Sequence, residues 1–339
     1  MGSNNYTPEA AALLTKFKVK AKRIDYVQKG VYKVVLSDGS MHCLKRMPCP
    51  VTRLHWMDRA LLRIRKKGFP KIAWRRPLTR EGKQLFVKTH SRTNYILTPW
   101  IQGRWPNPRS SKDMRACGIA LAKFHNAGRS ADFLKAGSSN MLGSWPKMIR
   151  GQHLFLKKHV TTAYKNGYHR RMDNLLKQHG HEILGYSKAA SQSLLKSKYK
   201  AICSGSRNRA TLCHGDGGPT NFILNSTGTH LIDFETLRVD LRAYDLYRVL
   251  YNSCKDHKWN FAIARSILDG YQSVNKLKKE DFALLKVWLR FPRTMYLLLR
   301  KFNHRSLKDK TTSENEFLQV LQDERRITSF IRHLDKYAR

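Results

Sequence analysis

The feature that most constrains the fold is a change of apolar periodicity near residue 98. Before it, short apolar runs alternate with turn signals, of which the Ser-Asp-Gly-Ser stretch at 37–40 is the strongest. This pattern is typical of antiparallel strands joined by hairpins. Beyond a Pro- and Gly-rich stretch at 99–108, apolar residues recur at helical spacing, first in 114–124. The chain is therefore predicted to change from strands to helices at this point.

This change predicts an α+β fold with two lobes and a cleft between them. Residues 1–98 are expected to form a small antiparallel β lobe. Residues 99–339 are expected to form a larger, mostly helical lobe. A total of 339 residues is long enough for both lobes.

Within the second lobe, a basic and largely helical region is predicted at 146–210. The His-Gly-His stretch at 179–181 is interpreted as a solvated turn, because no partner spacing supports a metal site there. Two short strands are expected near 222–224 and 230–232, and helices from residue 245 onward. The apolar stretch at 284–302 is interrupted by five Lys and Arg residues. It is too charged to span a membrane and is predicted to be a packed helix pair around Pro292.

The charge of the chain is strongly positive. Lys and Arg total 65 against 24 acidic residues, which gives a net charge of +41 spread along the chain. Such a field attracts polyanions, including nucleic acid, anionic polymers, acidic proteins and anionic membrane surfaces. No sequence pattern of a nucleic-acid-binding module is present, so a nucleic-acid binder is the weaker alternative.

Two features of the sequence favour a cytoplasmic location. The six cysteines include no Cys-x-x-Cys pair, which predicts reduced thiols rather than a metal or redox site. The first residues lack the apolar core of a secretory signal.

The residues that carry chemistry lie in two stretches, 213–224 and 230–235. Asp216 and Asn221 are five residues apart on a Gly- and Pro-rich loop, and Asp233 follows a short hairpin. Phosphoryl transfer needs a carboxylate that orients the attacking hydroxyl and oxygen ligands for magnesium near the phosphates. Magnesium prefers the oxygens of Asp and Asn. The spacing therefore indicates a magnesium-dependent phosphotransferase, and the alternative is that these residues only cap helices and form turns.

The motif H-G-D-x-x-x-x-N at 214–221 and the I-D-F tripeptide at 232–234 resemble those of the aminoglycoside phosphotransferase and choline kinase superfamily. This resemblance implies a protein-kinase-like fold, with residues 1–98 as the nucleotide-binding lobe and residues 99–339 as the catalytic lobe, and ATP and Mg²⁺ as cofactors. It implies that Asp216 is the catalytic base, that Asn221 is a metal ligand and that Asp233 is the principal magnesium ligand. His214 would structure the loop. Asp240 and Asp245 would be supporting carboxylates that hold loops.

Lys45 ends a predicted strand and is the candidate for binding the α- and β-phosphates. Kinases usually orient this lysine with a glutamate from the following helix. Here Asp58 is the only carboxylate of that helix, so it is the one candidate for supporting Lys45, and the ion pair remains open.

The rest of the nucleotide site is predicted from backbone positions. Gly30, in the first hairpin, would let the main chain approach the phosphates. Thr98, Trp100 and Ile101 are expected to form the hinge beside the adenine, with backbone groups recognising the base.

Five segments, at 43–46, 68–70, 95–104, 121–125 and 240–246, are similar to the CotS-type spore coat branch of this superfamily. That resemblance implies deposition in the spore coat and contact with other coat proteins or anionic polymers. Three functions stay open: an active kinase that acts on a hydroxyl acceptor, a catalytically idle coat scaffold that binds anionic surfaces, and a polyanion binder.

The acceptor is expected to be neutral or anionic. In the superfamily, the segment corresponding to 146–210 lines the acceptor site, and here it carries 14 Lys and Arg residues. Its acidic residues are Asp173 and Glu182, whereas a polycationic aminoglycoside needs carboxylates around it. The alternative is that these basic residues face solvent on the outside of helices.

Overall fold

The computed structural model describes residues 8–129, 133–165, 171–205, 210–303 and 307–339. The chain begins with a helix and three strands that form an antiparallel meander: α1 (Pro8–Lys16), β1 (Ala21–Gln28), β2 (Val31–Leu36) and β3 (Met41–Met47). The turn predicted at 37–40 joins β2 to β3. It is closed by Ser40, whose amide and hydroxyl donate to Asp38 Oδ1 at 2.8 and 2.6 Å.

Helix α2 (Val51–Lys66) and strands β4 (Val87–Lys88) and β5 (Asn94–Pro99) complete this part. The sheet has five strands in the order β1-β2-β3-β5-β4, and every pairing is antiparallel. Because side chains alternate between the two faces of a strand, Leu44 lies in the core formed with α1, and Lys45 lies on the opposite face. The sheet thus directs Lys45 away from the α1 core.

The larger part of the chain is mainly helical. Its helices are α3 (Ser111–Ala127), α4 (Trp145–Lys165), α5 (Arg171–Lys196), α6 (Tyr199–Gly205), α7 (Arg242–Cys254), α8 (Phe261–Gln272), α9 (Lys279–Arg290), α10 (Arg293–Asn303) and α11 (Leu307–Tyr337). Two antiparallel strand pairs lie among them: β6 (Ala210–Cys213) with β9 (Arg238–Leu241), and β7 (Phe222–Asn225) with β8 (Gly228–Leu231). The predicted α+β, kinase-like fold class is confirmed.

A cluster of aromatic rings fills the centre of this helical part. Trp288 of α9 packs edge-on against Trp145 and Tyr244, with ring centroids 5.4 and 5.2 Å apart. All three side chains are buried. Burying large aromatic rings removes much apolar area from water, so this cluster ties α4, α7 and α9 together.

Of two local predictions for the helical part, one is confirmed and one is wrong. The helix pair at Pro292 is confirmed as α9 and α10. The turn at 179–181 is wrong, because these residues lie inside α5. Gly180 permits this continuous helix to pack on α4, since a Cβ there would lie 2.6 Å from Val160 Cγ1. In the described part of the chain, no helix is long and apolar enough to cross a membrane.

Candidate active site

Asp245, in the first turn of α7, anchors the loop that carries Asp216. Its carboxylate is fully buried and accepts hydrogen bonds from the backbone amides of His214 and Gly215 at 2.6 and 2.7 Å. His125 of α3 lies 3.0 Å from the same carboxylate. Burial alone would raise the pKa of Asp245, but the bonds and positive charge of its neighbours outweigh burial and lower it. Asp245 therefore stays ionised and holds the start of the loop by these contacts.

His214 joins the two motifs. Its Nε2 lies 2.8 Å from the carbonyl oxygen of Ile232, the residue before Asp233. Gly215 has a φ of +86°, and a Cβ there would lie 2.3 Å from the carbonyl oxygen of Thr236. The loop therefore needs glycine at this position, and the His214 ring connects the loop to the segment that carries Asp233. The loop-structuring role of His214 stays a prediction.

Asp216, Asn221 and Asp233 are brought together by backbone contacts. Asn221 donates its side-chain N–H to the carbonyl oxygen of Asp216 at 2.6 Å, and its own carbonyl accepts from the amide of Ile232 at 3.1 Å. Asp233 has a φ of +63°, in the left-handed region that non-glycine residues seldom occupy. Such backbone conformations cluster at functional sites. The side chains of Asp216 and Asp233 are 44% and 41% exposed, so solutes can reach both carboxylates.

The side chain of Lys45 extends from β3 to the carboxylates of Asp233 and Glu235. Its ammonium donates to Asp233 Oδ1 at 2.6 Å and lies 2.9 Å from Glu235 Oε1. Burial lowers the pKa of Lys45, but the two carboxylates outweigh that effect and raise it. Lys45 is therefore held as a cation beside the predicted metal ligand.

Glu235 was missed by the sequence analysis, although it follows Asp233 by two residues in the I-D-F-E stretch. The sequence feature that could have revealed Glu235 was the presence of a second carboxylate in the same motif. Its position answers the question of which acid holds Lys45, because it supplies the carboxylate that kinases usually take from a helix.

Asp58 does not contact Lys45, so the predicted supporting role at Lys45 is wrong. Its carboxylate accepts from Trp74 Nε1 at 2.8 Å and from Arg75 Nε at 2.7 Å. The side chain of Asp58 is only 9% exposed. The turn of α2 that carries Asp58 faces the Trp74 segment, so this acid stabilises the packing of α2 instead.

Of the predicted hinge residues, Thr98 lies near the end of β5, and Trp100 and Ile101 follow the end of this strand. Thr98 pairs with Cys43 in the sheet, and the amide of Trp100 donates to the Met41 carbonyl at 2.9 Å. The Trp100 amide is therefore already engaged. Ile101 lies just beyond this last sheet contact, so its backbone is the better placed of the two for hydrogen bonding to a base.

Gly30 forms the tight turn between β1 and β2. Its φ is +77°, and a Cβ there would lie 2.9 Å from Arg46 Cβ. Its carbonyl accepts from the Arg46 amide at 2.7 Å. The close approach that requires glycine is therefore to β3. The predicted contact of this turn with phosphates stays a prediction.

Asp240 lies in β9 and is fully buried. Its Oδ1 accepts from Trp145 Nε1 at 3.0 Å and from the Leu241 amide at 2.8 Å. Burial raises the pKa of Asp240 to about 6. Asp240 thus connects β9 to α4 in the core rather than touching the loop of Asp216.

Two further polar residues of α7 reach the loop and were not predicted. The guanidinium of Arg248 contacts Asp216 Oδ1, and Asn252 donates to the carbonyl oxygen of Gly217 at 2.7 Å. With Asp245 they occupy positions 245, 248 and 252, a spacing that places all three on one face of a helix. This spacing is the sequence feature from which their shared contact with the loop could have been predicted.

Residues 28–277 match the family model described as the phosphotransferase enzyme family, and the chain belongs to this family. It is 28% identical over 230 residues to a homoserine kinase of Rhizobium etli strain CIAT 652, a match that covers 67% of this chain and 63% of that protein. It is 31% identical over 261 residues to a homoserine kinase of Chelativorans sp. strain BNC1, covering 74% and 71% of the two chains.

Solved structures share the fold. An aminoglycoside phosphotransferase from Alicyclobacillus acidocaldarius superposes with a TM-score of 0.77, at 19% identity and 99% coverage of both chains. An amicoumacin kinase in complex with AMP-PNP and Ca²⁺ superposes with a TM-score of 0.63, at 14% identity and 95% coverage of both chains.

Proposed function

We propose that this chain is a phosphotransferase that uses ATP and Mg²⁺ to phosphorylate a hydroxyl group. The observation that carries the proposal is the convergence of Asp216, Asn221 and Asp233, with Lys45 reaching Asp233 from the sheet. An ordinary domain that used these acids as caps and turn residues would not need a half-buried lysine to reach Asp233 from the sheet.

The residues present fit a magnesium ion and a nucleotide. Asp233, Glu235 and Asn221 supply the hard oxygen donors that Mg²⁺ prefers, and both carboxylates are about two-fifths exposed. When bound, the ion would neutralise charge on the ATP phosphates. Lys45 would bind phosphate oxygens, and the backbone at Thr98, Trp100 and Ile101 would contact the adenine.

Asp216 would act on the acceptor. Its exposed carboxylate would orient the attacking hydroxyl and accept its proton as that oxygen bonds to the γ-phosphorus of ATP, while the bond from this phosphorus to the leaving ADP breaks. In this arrangement residues 1–98 contribute the nucleotide side of the site, and residues 99–339 contribute the metal ligands and the base.

The relatives support a nucleotide and a hydroxyl acceptor. The curated relatives are homoserine kinases, and homoserine carries a hydroxyl group. The amicoumacin kinase holds AMP-PNP, and a spectinomycin phosphotransferase with the same fold holds ADP. The matched region spans 63% of the Rhizobium relative, so homoserine itself is a proposal for this chain.

An active enzyme is favoured over an idle spore coat scaffold. The reasons for considering a scaffold were the missing helix glutamate and the high net charge. Glu235 lies 2.9 Å from Lys45 and would take the place of that glutamate, so the first reason loses its weight. Deposition in the spore coat, as the CotS resemblance implies, draws no support from the relatives described above and stays a prediction.

The structure removes the first reason for expecting a neutral or anionic acceptor, which was the basic region at 146–210. Apart from half-buried Lys177, the described Lys and Arg residues of 146–210 are exposed on the outside of α4, α5 and α6, as the alternative reading held. A different observation supports the same acceptor class. Asp216 is paired with Arg248, and Asp233 and Glu235 are paired with Lys45. These three carboxylates therefore offer little uncompensated negative charge to a polycation.

We expect L-homoserine, or another small hydroxyl compound with a negative or neutral group, to be phosphorylated with a kcat/KM at least about tenfold above that for kanamycin, since 1.4 kcal/mol of differential binding suffices. The measurement is ATP- and Mg²⁺-dependent phosphorylation across a panel of neutral, anionic and polycationic alcohols. Efficient phosphorylation of kanamycin, without activity on neutral or anionic acceptors, would contradict the proposed acceptor class. Absence of transfer to every acceptor would contradict the proposed function.

The net charge of +41 leads to a second expectation. The protein should bind heparin or a phosphate polymer at low salt and elute as salt rises, because each neutralised anionic group releases counterions. The measurement is elution from the column in a salt gradient, with and without saturating ATP. Retention that does not weaken with salt would rule out an electrostatic origin.

A further inference from the structure

Helix α7 carries three polar side chains that contact the loop at 214–221, which contains Asp216. Asp245 binds the backbone amides at the start of the loop. Asn252 binds the carbonyl of Gly217, and a Cβ at Gly218 would lie 2.9 Å from Asn252 Cβ. Arg248 lies between these two on the same helix face and contacts the carboxylate of Asp216 itself.

The contacts to Asp216 fall on one of its two oxygens. Arg248 Nη2 and Asn252 Nδ2, the latter at 3.5 Å, both reach Oδ1. Among the described residues, no contact to Oδ2 is found, while the side chain as a whole is 44% exposed. One oxygen is therefore anchored to α7, and the other is presented to solvent.

Arg248 is built to hold its position. Its side chain is only 11% exposed, and its guanidinium carbon lies 5.9 Å from the centroid of the fully buried Tyr247 ring. Because the guanidinium group is planar and this side chain is largely buried, Arg248 fixes the direction of its hydrogen bond more tightly than the flexible ammonium group of a lysine would. Removal of Arg248 would leave Asp216 free to rotate about its side-chain bonds.

We propose that Arg248 is a positioning residue for the phosphotransfer reaction, which binds Oδ1 of Asp216 so that Oδ2 alone faces the acceptor hydroxyl. The inference rests on the proposed function for its kinetic consequence. A general base contributes only when its accepting oxygen lies within hydrogen-bond reach of the proton, and a displacement of about 1 Å costs about 100-fold in rate.

The test compares Arg248→Gln with a matched control, Arg242→Gln. Arg242 begins the same helix, its side chain is 13% exposed, and it pairs with Asp281, away from the loop of Asp216. Both substitutions remove a largely buried arginine and its ion pair from α7, so a loss caused by helix destabilisation appears in both. We expect Arg248→Gln to lower kcat about 100-fold with the KM for ATP changed less than about threefold. The control should keep its kcat per folded molecule.

Two further variants cover the case in which Arg248→Gln folds poorly. Arg248→Lys keeps the charge without the planar fork and should retain an intermediate kcat. Arg248→Ala should regain activity when guanidinium is added at concentrations far below those that unfold proteins, and Arg242→Ala should not. A wild-type kcat in Arg248→Gln, an equal loss in the Arg242→Gln control, or no rescue by guanidinium would overturn the inference.

Hydrogen exchange separates this inference from the proposed function. Amides of the loop at 214–221 should exchange faster in Arg248→Gln than in Arg242→Gln, whether or not the protein transfers phosphoryl groups. If the wild type is inactive towards every acceptor, the proposed function fails, and equal loop exchange in the two variants would overturn the positioning role as well.

Discussion

Asp216→Asn is expected to lower kcat by about 10²- to 10⁴-fold, the range that a general base contributes, while ATP affinity changes less than about threefold. The amide keeps the shape of the carboxylate but loses its ability to accept the proton of the hydroxyl. Lys45, Asn221 and Asp233, which we propose to bind the nucleotide and its metal ion, are unchanged in this variant. Because the base acts mainly in the transition state, the loss falls on turnover rather than on nucleotide binding.

The control for this variant is Asp25→Asn. Asp25 of β1 is 42% exposed and paired with Arg23, which resembles the exposure and pairing of Asp216 without proximity to the loop. Its kcat should equal that of the wild type. Calorimetric ATP affinity and the thermal midpoint confirm that each variant is folded. Wild-type turnover in Asp216→Asn would exclude this residue as the base.

Asp233→Ala is expected to weaken Mg²⁺-dependent ATP binding by at least about 100-fold, because losing even an outer partner of a metal site costs about 10- to 100-fold. The substitution removes the carboxylate that we propose as the principal metal ligand and leaves Lys45 with Glu235 as its partner. The measurement is calorimetric ATP affinity with Mg²⁺ and with EDTA. The wild type should lose affinity in EDTA, and the variant should be weak in both.

The backbone at Asp233 calls for a companion variant. Alanine in the left-handed region costs about 1–2 kcal/mol, so Asp233→Ala could weaken binding by distorting the loop. Asp233→Asn avoids this strain because asparagine tolerates that conformation, and it should also bind Mg²⁺-ATP more weakly than the wild type. Asp269→Ala is the control, since Asp269 is likewise 41% exposed but lies on α8. Unchanged affinity in folded Asp233→Asn and Asp233→Ala would remove Asp233 from the metal site.

Predictions from local pattern succeeded where a short stretch of chain decides the structure. The hairpin at 37–40 follows from the φ angles that its residues permit and from the Asp38 side chain. Asn221 lies beside Asp216 because five residues of one loop separate them. The helical spacing at 114–124 corresponds to α3, which begins after Ser110, a residue whose side chain accepts from the Asp113 amide as a cap does.

Predictions failed where packing overrides local preference. Gly180 and its two histidines resemble a turn, yet they continue α5 because the missing side chain lets the helix approach Val160. The strand pair β6 and β9 was missed because its partners are far apart in sequence, so neither strand shows its pairing locally. From the sequence, the basic residues of 146–210 could not be assigned to a pocket or to solvent. Residues of the two faces of a helix are interspersed along the chain, so the sequence does not tell which face meets the site.

The sequence by itself determined the fold class and the three polar residues, Asp216, Asn221 and Asp233, that define the candidate site. Their spacing in one segment encodes their proximity. Only the tertiary structure decided which cation meets which acid. Lys45 pairs with Asp233 across 188 positions of sequence, and Arg248 pairs with Asp216 across 32. Coulomb attraction depends on distance in space, and that distance is set by how the sheet and α7 pack around the loops.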